Sequence, residues 1–146
     1  MDERLRKHIS EWFAKGDDDL YLASKAMQDK VYIPVGLVCF LCQQCAEKYR
    51  KGFLALHHTN APKSHDLVFL VDLIKDAAFV EAVRQNANTL NNYSVVPRYP
   101  GDDADIPVSK AEEALTASTI IRSEVLKRSR EAGYRSKTIT EQGEIT

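Results

Sequence analysis

At 146 residues, 44% of them hydrophobic and 28% charged, the chain has the size and composition of one ordinary globular domain with a sizeable core. A formal net charge of −1 excludes a polycationic molecule, so a nucleic-acid partner would need a local basic patch. The three cysteines crowd into positions 39 to 45, a poor disulfide framework, and there is no signal-peptide core and no run of roughly 18 apolar residues; the expectation is a cytoplasmic protein.

The first predicted element is a helix from Arg4 to about Met27, because Leu5, Ile9, Trp12, Phe13, Gly16, Leu20, Ala23 and Met27 recur at three-and-four spacing. Asp17, Asp18 and Asp19 carry charge through its middle. Gly16 costs about 1 kcal/mol against alanine and marks a close helix approach. After a short connection, Pro34 suits the first turn of a second helix reaching about Leu56, with Val35, Val38, Cys39, Cys42, Cys45, Ala46, Tyr49, Phe53 and Leu56 as its apolar stripe. His57 to Lys63 reads as a loop. Ser64 then caps a short helix with His65 and Asp66 in its first turn and Leu67, Leu70, Val71 and Ile74 inward. A fourth helix from about Ala77 to Leu90 buries Phe79, Val80, Val83, Ala87 and Leu90. Pro97, Pro100, Gly101 and Pro107 make Tyr93 to Pro107 a non-helical excursion. Ser109 with Glu112 reads as a capping box opening the last helix, which continues to about Arg130. Ala111, Ala114, Leu115, Ile121 and Val125 face inward there, and Ser118 is small enough to admit a neighbouring helix. The pattern predicts an all-α, up-and-down bundle of four to five helices over residues 1–132, followed by a disordered tail over 133–146.

Cys39-x2-Cys42-x2-Cys45 has the spacing of a metal site, but the three residues lie inside an apolar helical stripe without a converging loop or a fourth ligand. They read as small core residues, and no metal is expected. His57 and His58 point in different directions at the end of the second helix and read as capping or solvent-facing groups. Arg50 and His57 share a face two turns apart, about 10 Å, too far to touch. The segment from Asn91 to Gly101 is different in kind: Arg98 with Tyr93 and Tyr99 on a proline-stiffened loop can hold a phosphate and stack a base. Equally, Tyr93 and Tyr99 can plug the bundle end while Arg98 pairs with Glu47 or Asp66.

Four segments in order resemble the HEPN (higher eukaryote and prokaryote nucleotide-binding) family. Trp12 followed by Asp18, Asp19, Leu20 and Ala23 resembles its first-helix pattern. Phe40-x2-Gln43-Gln44-Cys45-Ala46-Glu47-Lys48 resembles its Gln-Gln-Ala-Ala-Glu-Lys run, with Cys45 in place of an alanine. Ser64-His65-Asp66-Leu67 resembles its Thr-His-Asp-Leu start, and Leu90-Asn91-x-Tyr93 with Arg98-Tyr99-Pro100 resembles the loop before its last helix.

The resemblance implies a helical bundle that forms a homodimer, without a cofactor, often beside a separate minimal nucleotidyltransferase chain in a prokaryotic toxin–antitoxin pair. It implies a ligand-binding cleft of Glu47, Lys48, His65, Asp66, Tyr93, Arg98 and Tyr99, with a nucleotide or RNA as ligand. Many members are metal-independent ribonucleases whose Arg-x4–6-His motif pairs a proton-transferring histidine with a phosphate-steadying arginine. Here no histidine follows Arg98, and Asp102, Asp103 and Asp105 stand in that stretch. The first expectation is therefore a nucleotide- or partner-binding module without that catalytic motif. The alternatives are a ribonuclease in which His65 acts with Arg98, and a structural dimeric scaffold.

Overall fold

The computed structural model describes residues 1–57, 77–93 and 106–136. The short helix expected from Ser64, together with His65 and Asp66, lies outside the described residues, as do His58, Arg98, Tyr99 and most of the tail. The described residues form four α-helices: α1 (Glu3–Met27), α2 (Val35–His57), α3 (Ala77–Leu90) and α4 (Val108–Glu131), with a 3-10 turn over Asn91–Tyr93 prolonging α3. None of them is long and apolar enough to cross a membrane.

Each helix forms where its apolar period and its caps agree. At α1, Asp2 caps the start, its carboxylate accepting from the Arg4 and Leu5 amides at 2.7 and 3.4 Å. Pro34 does not occupy the first turn of α2; it precedes Val35 and supplies the carbonyl that accepts the Val38 amide at 3.0 Å. The capping box expected at Ser109 is also absent. Helix α4 opens two residues earlier, at Val108, behind the N-cap Pro107, whose extended backbone (φ −74°, ψ 156°) turns the chain into the helix without a side-chain cap. At the other end, Gly133 takes φ 98°, and the Gly133 and Tyr134 amides reach back to the Arg130 and Ser129 carbonyls at 3.0 and 2.9 Å. That is a Schellman closure, which needs a residue tolerant of positive φ at this position. The turn folds Tyr134 back onto α1, where it is 3% exposed and its hydroxyl shares a 2.8 Å hydrogen bond with Ser10. Tyr134, assigned to the tail on composition, thus belongs to the bundle.

Helices α2 and α4 run parallel at the centre, as the 2.9 Å bond from Ser118 Oγ to the Cys42 carbonyl and the stacking of Arg122 over Tyr49 require. Helix α1 lies antiparallel to them on one side and α3 antiparallel on the other. Alternating directions in sequence give the up-and-down order. Ser118 works as expected: fully buried among Ala111, Ala114 and Ala117, it lets α4 approach the cysteine face of α2. The close approach marked by Gly16 is also observed, and α2 answers it. Tyr49 lies over Gly16, Phe13 lies over Gly52, and the two rings stack between them with centroids 4.6 Å apart and planes 9° apart. Cys39, Cys42 and Cys45 are all free thiols with no exposed surface, packed into the core beside these rings.

Candidate functional site

A cleft of about 300 Å³ opens between α2, α3 and α4. Its floor is apolar, built from Phe53, Phe79, Val83, Leu90, Ile121 and Val125, with the Phe53 and Phe79 rings 5.6 Å apart. Its rim is polar: Gln43, Glu47 and Arg50 from α2, Arg84 from α3, and Asn91 from the 3-10 turn. Helix geometry explains the rim of α2. Positions 43, 46, 47 and 50 lie next to the buried stripe of Cys42, Cys45 and Tyr49, so they form the shoulder between core and solvent. Glu47 is ion-paired with Arg50 one turn on. Arg84 has no ion pair among the described residues and stands at the mouth. Arg128 covers the outer side of Phe79, its guanidinium 5.5 Å from the ring centroid.

Of the site residues drawn from the resemblance, Glu47 lines this cleft. Lys48 does not: one residue on, it points across to α1 and pairs with Asp19. Tyr93 is half-buried at the far end of the 3-10 turn, packed against the core beside Cys39. There, partial burial raises its phenol pKa, and the Cys39 thiol is raised in turn by its own burial, with the Tyr93 hydrogen bond working in the opposite direction. Among the described candidates, then, Glu47, Lys48 and Tyr93 do not share one cleft. His65, Asp66, Arg98 and Tyr99 lie outside the described residues.

Sequence reasoning missed the partners Glu47 does have. Arg50 drew notice only for its spacing to His57, and Arg84 not at all. The available signal was the shoulder position of Arg50 beside Glu47 and, on α3, an arginine directly after the inward Val83. His57 is also not solvent-facing. It is the last residue of α2, half-buried, with its ring 4.4 Å from that of Phe53.

A second polar cluster occupies the opposite side of the α2–α4 pair. Asp17 accepts from Arg122 Nε at 2.8 Å and from Nη2 at 3.4 Å, and it also accepts a hydrogen bond from the Tyr49 hydroxyl. The Arg122 guanidinium lies 5.8 Å from the Tyr49 ring centroid. Burial first, then the hydrogen bond to Asp17 and its charge, push the Tyr49 phenol well above its ordinary value, while that carboxylate holds Arg122 still more firmly protonated. The aspartates placed mid-helix by sequence are therefore ties between helices at positions 17 and 19, with Asp18 left to solvent.

Two antiparallel helices flanking a parallel central pair, with a polar-rimmed cleft beside the second helix, define an all-α bundle of the kind that presents a site on its flank. A family model described as HEPN domain matches residues 9–129, and the chain belongs to that family. No curated protein and no solved structure matches it.

Proposed function

We propose that this HEPN chain is a nucleotide-binding module that uses the cleft between α2, α3 and α4 and works as a homodimer beside a separate minimal nucleotidyltransferase chain. The observation that carries the reading is the make-up of the cleft. The apolar floor, backed by the buried rings of Phe53 and Phe79, gives the face of a base an apolar bed. Gln43, Asn91 and the Glu47 carboxylate offer edge hydrogen bonds, and Arg84 at the mouth meets a phosphate. About 300 Å³ is at the lower end of the range of small-molecule sites and fits a ligand of nucleoside size. Arg98 and Tyr99, with His65 and Asp66, join the site in this reading through the family resemblance, and the dimer and the partner chain rest on the same resemblance. Ribonuclease chemistry is left out of it because no histidine follows Arg98.

The test is a thermal-shift and calorimetric titration of the full chain with ATP, GTP and short RNAs. A nucleotide at a hundred times its Kd stabilises the folded state by about 2.7 kcal/mol. The reading expects that shift in the wild type and in Lys15→Ala, and its loss in Arg84→Ala, Glu47→Gln and Arg98→Ala. No shift with any nucleotide would overturn it. Metal-free RNA cleavage that disappears in His65→Ala would replace it with the ribonuclease reading.

A further inference from the structure

On the far side of the α2–α4 pair from the nucleotide cleft, about 430 Å³ lies open between α1 and the C-terminal end of α4. Its walls are Phe13, Leu126 and the ring of Tyr134; its polar groups include Asp17, Arg122, Arg130 and Arg135. Asp17 and Arg122 neutralise each other, as described above. That leaves two guanidinium groups without a carboxylate partner among the described residues, those of Arg130 and Arg135.

Arg135 is fixed in a particular way. Its Nη1 donates to the carbonyls of Arg130 and Tyr134 at 2.8 and 2.7 Å, which uses both hydrogens of that nitrogen. What it presents is the Nε–Nη2 edge, the fork that grips two oxygens of one group. The Gly133 closure holds the turn that carries it, and Tyr134 anchors that turn to Ser10. Of the two hydroxyl hydrogens in the Ser10–Tyr134 pair, one is used between them and the other remains available as a donor. Guanidinium forks and a hydroxyl donor around one space match the three acceptor oxygens of a phosphoryl group. The space is several times larger than a phosphate ion, and its Phe13 and Leu126 walls suit an organic body attached to it.

We propose that this second cleft binds a phosphate monoester of a small molecule, with Arg130 and Arg135 holding the phosphoryl group. The site is independent of the nucleotide cleft and stands or falls without it.

The experiment is calorimetric titration of the full chain with inorganic phosphate, ribose 5-phosphate and adenosine 5′-monophosphate, using wild type, Arg130→Ala, Arg135→Ala, Arg84→Ala and Lys15→Ala. At least one ester is expected to bind more tightly than inorganic phosphate. Each arginine variant should weaken it by about tenfold or more, the loss expected for one charge-assisted contact, while Lys15→Ala leaves it unchanged. Arg130 enters the helix closure only through its backbone carbonyl, which alanine keeps, so its variant reports on the site even if Arg135→Ala loosens the turn. Inorganic phosphate binding as tightly as both esters would overturn the proposal, as would no binding of any of the three. Binding that survives both arginine variants but is lost in Arg84→Ala would place the ester in the other cleft and overturn it equally.

Discussion

Cys42 and Cys45 sit where α1, α2 and α4 converge, and burial there pushes the Cys42 thiol from its ordinary 9.0 up to about 12 and Cys45 up to about 11. Neighbouring thiols add to the Cys42 shift, and the aspartates at 17 and 19 to that of Cys45. In the unfolded chain both ionise near 9. Between pH 9 and about 11 the unfolded state therefore holds fewer protons than the folded one, and stability falls as pH rises, while below pH 9 these thiols contribute no slope. Urea unfolding of wild type against Cys42→Ala isolates the effect from other groups that titrate in that window. The variant starts less stable through lost packing, and its deficit should shrink steadily from pH 9 to 11. A deficit that stays constant over that range would mean the native thiol ionises as freely as the unfolded one. The core role of these cysteines was legible from sequence because the apolar stripe around them is continuous. The burial of His57 was not, because a terminal histidine carries no period of its own and its place is fixed by a contact with Phe53 one turn back.

The α1–α2 pair is held by a reciprocal device: an aromatic ring from each helix lies over a glycine of the other, three residues after that helix's own ring. A Cβ at Gly52 would come within 2.5 Å of Phe13 Cε1. Phe13 cannot retreat, since Tyr49 stacks on one of its faces and Tyr134 meets it edge-on at 5.3 Å. Alanine in a helix gains about 1 kcal/mol over glycine, whereas overpacking a closed core costs about 1–3 kcal/mol. Gly52→Ala should thus destabilise by about 1 kcal/mol, a Tm loss of roughly 3–5 °C at this chain length. In a Phe13→Leu background the clash is gone, and the same change should become neutral or stabilising. Equal effects in both backgrounds would show that the ring is not what confines Gly52. Sequence exposed half of this device. Gly16 stood out inside a regular apolar stripe, but Gly52 lies beside Phe53 in a segment rich in apolar residues, where a glycine gives no sign that a ring from another helix covers it. The helix limits themselves followed closely from period and proline positions. The start of α4 was displaced because a serine followed by a glutamate has the form of a capping box wherever it falls, and Pro107 sets the turn first.

At the scale of the whole molecule, the parallel α2–α4 pair is enclosed by α1 and α3, but unequally. Helix α1 packs mainly on α2 and is tied to α4 by Asp17–Arg122 and Ser10–Tyr134. Among the described residues, helix α3 is shorter, rests mainly on α4, and meets α2 across the open cleft instead of a packed seam. A short helix packed mainly on one neighbour has a lower free energy of local opening than the central helices enclosed on both sides. Amide exchange across a denaturant series should therefore show α2 and the middle of α4 opening only with global unfolding. Residues 81–90 of α3 should exchange through a partial opening with a smaller denaturant dependence, at roughly half the global value of about 5–15 kcal/mol. If α3 shares the free energy and slope of α2, the bundle unfolds as one unit and the cleft is rigid. The same measurement bears on function. A ligand seated between α2 and α3 has to dissociate before α3 can open. At a hundred times its Kd it should slow exchange in residues 81–90 by about a hundredfold, whereas a ligand bound on the α1 side should leave the partial opening of α3 unchanged.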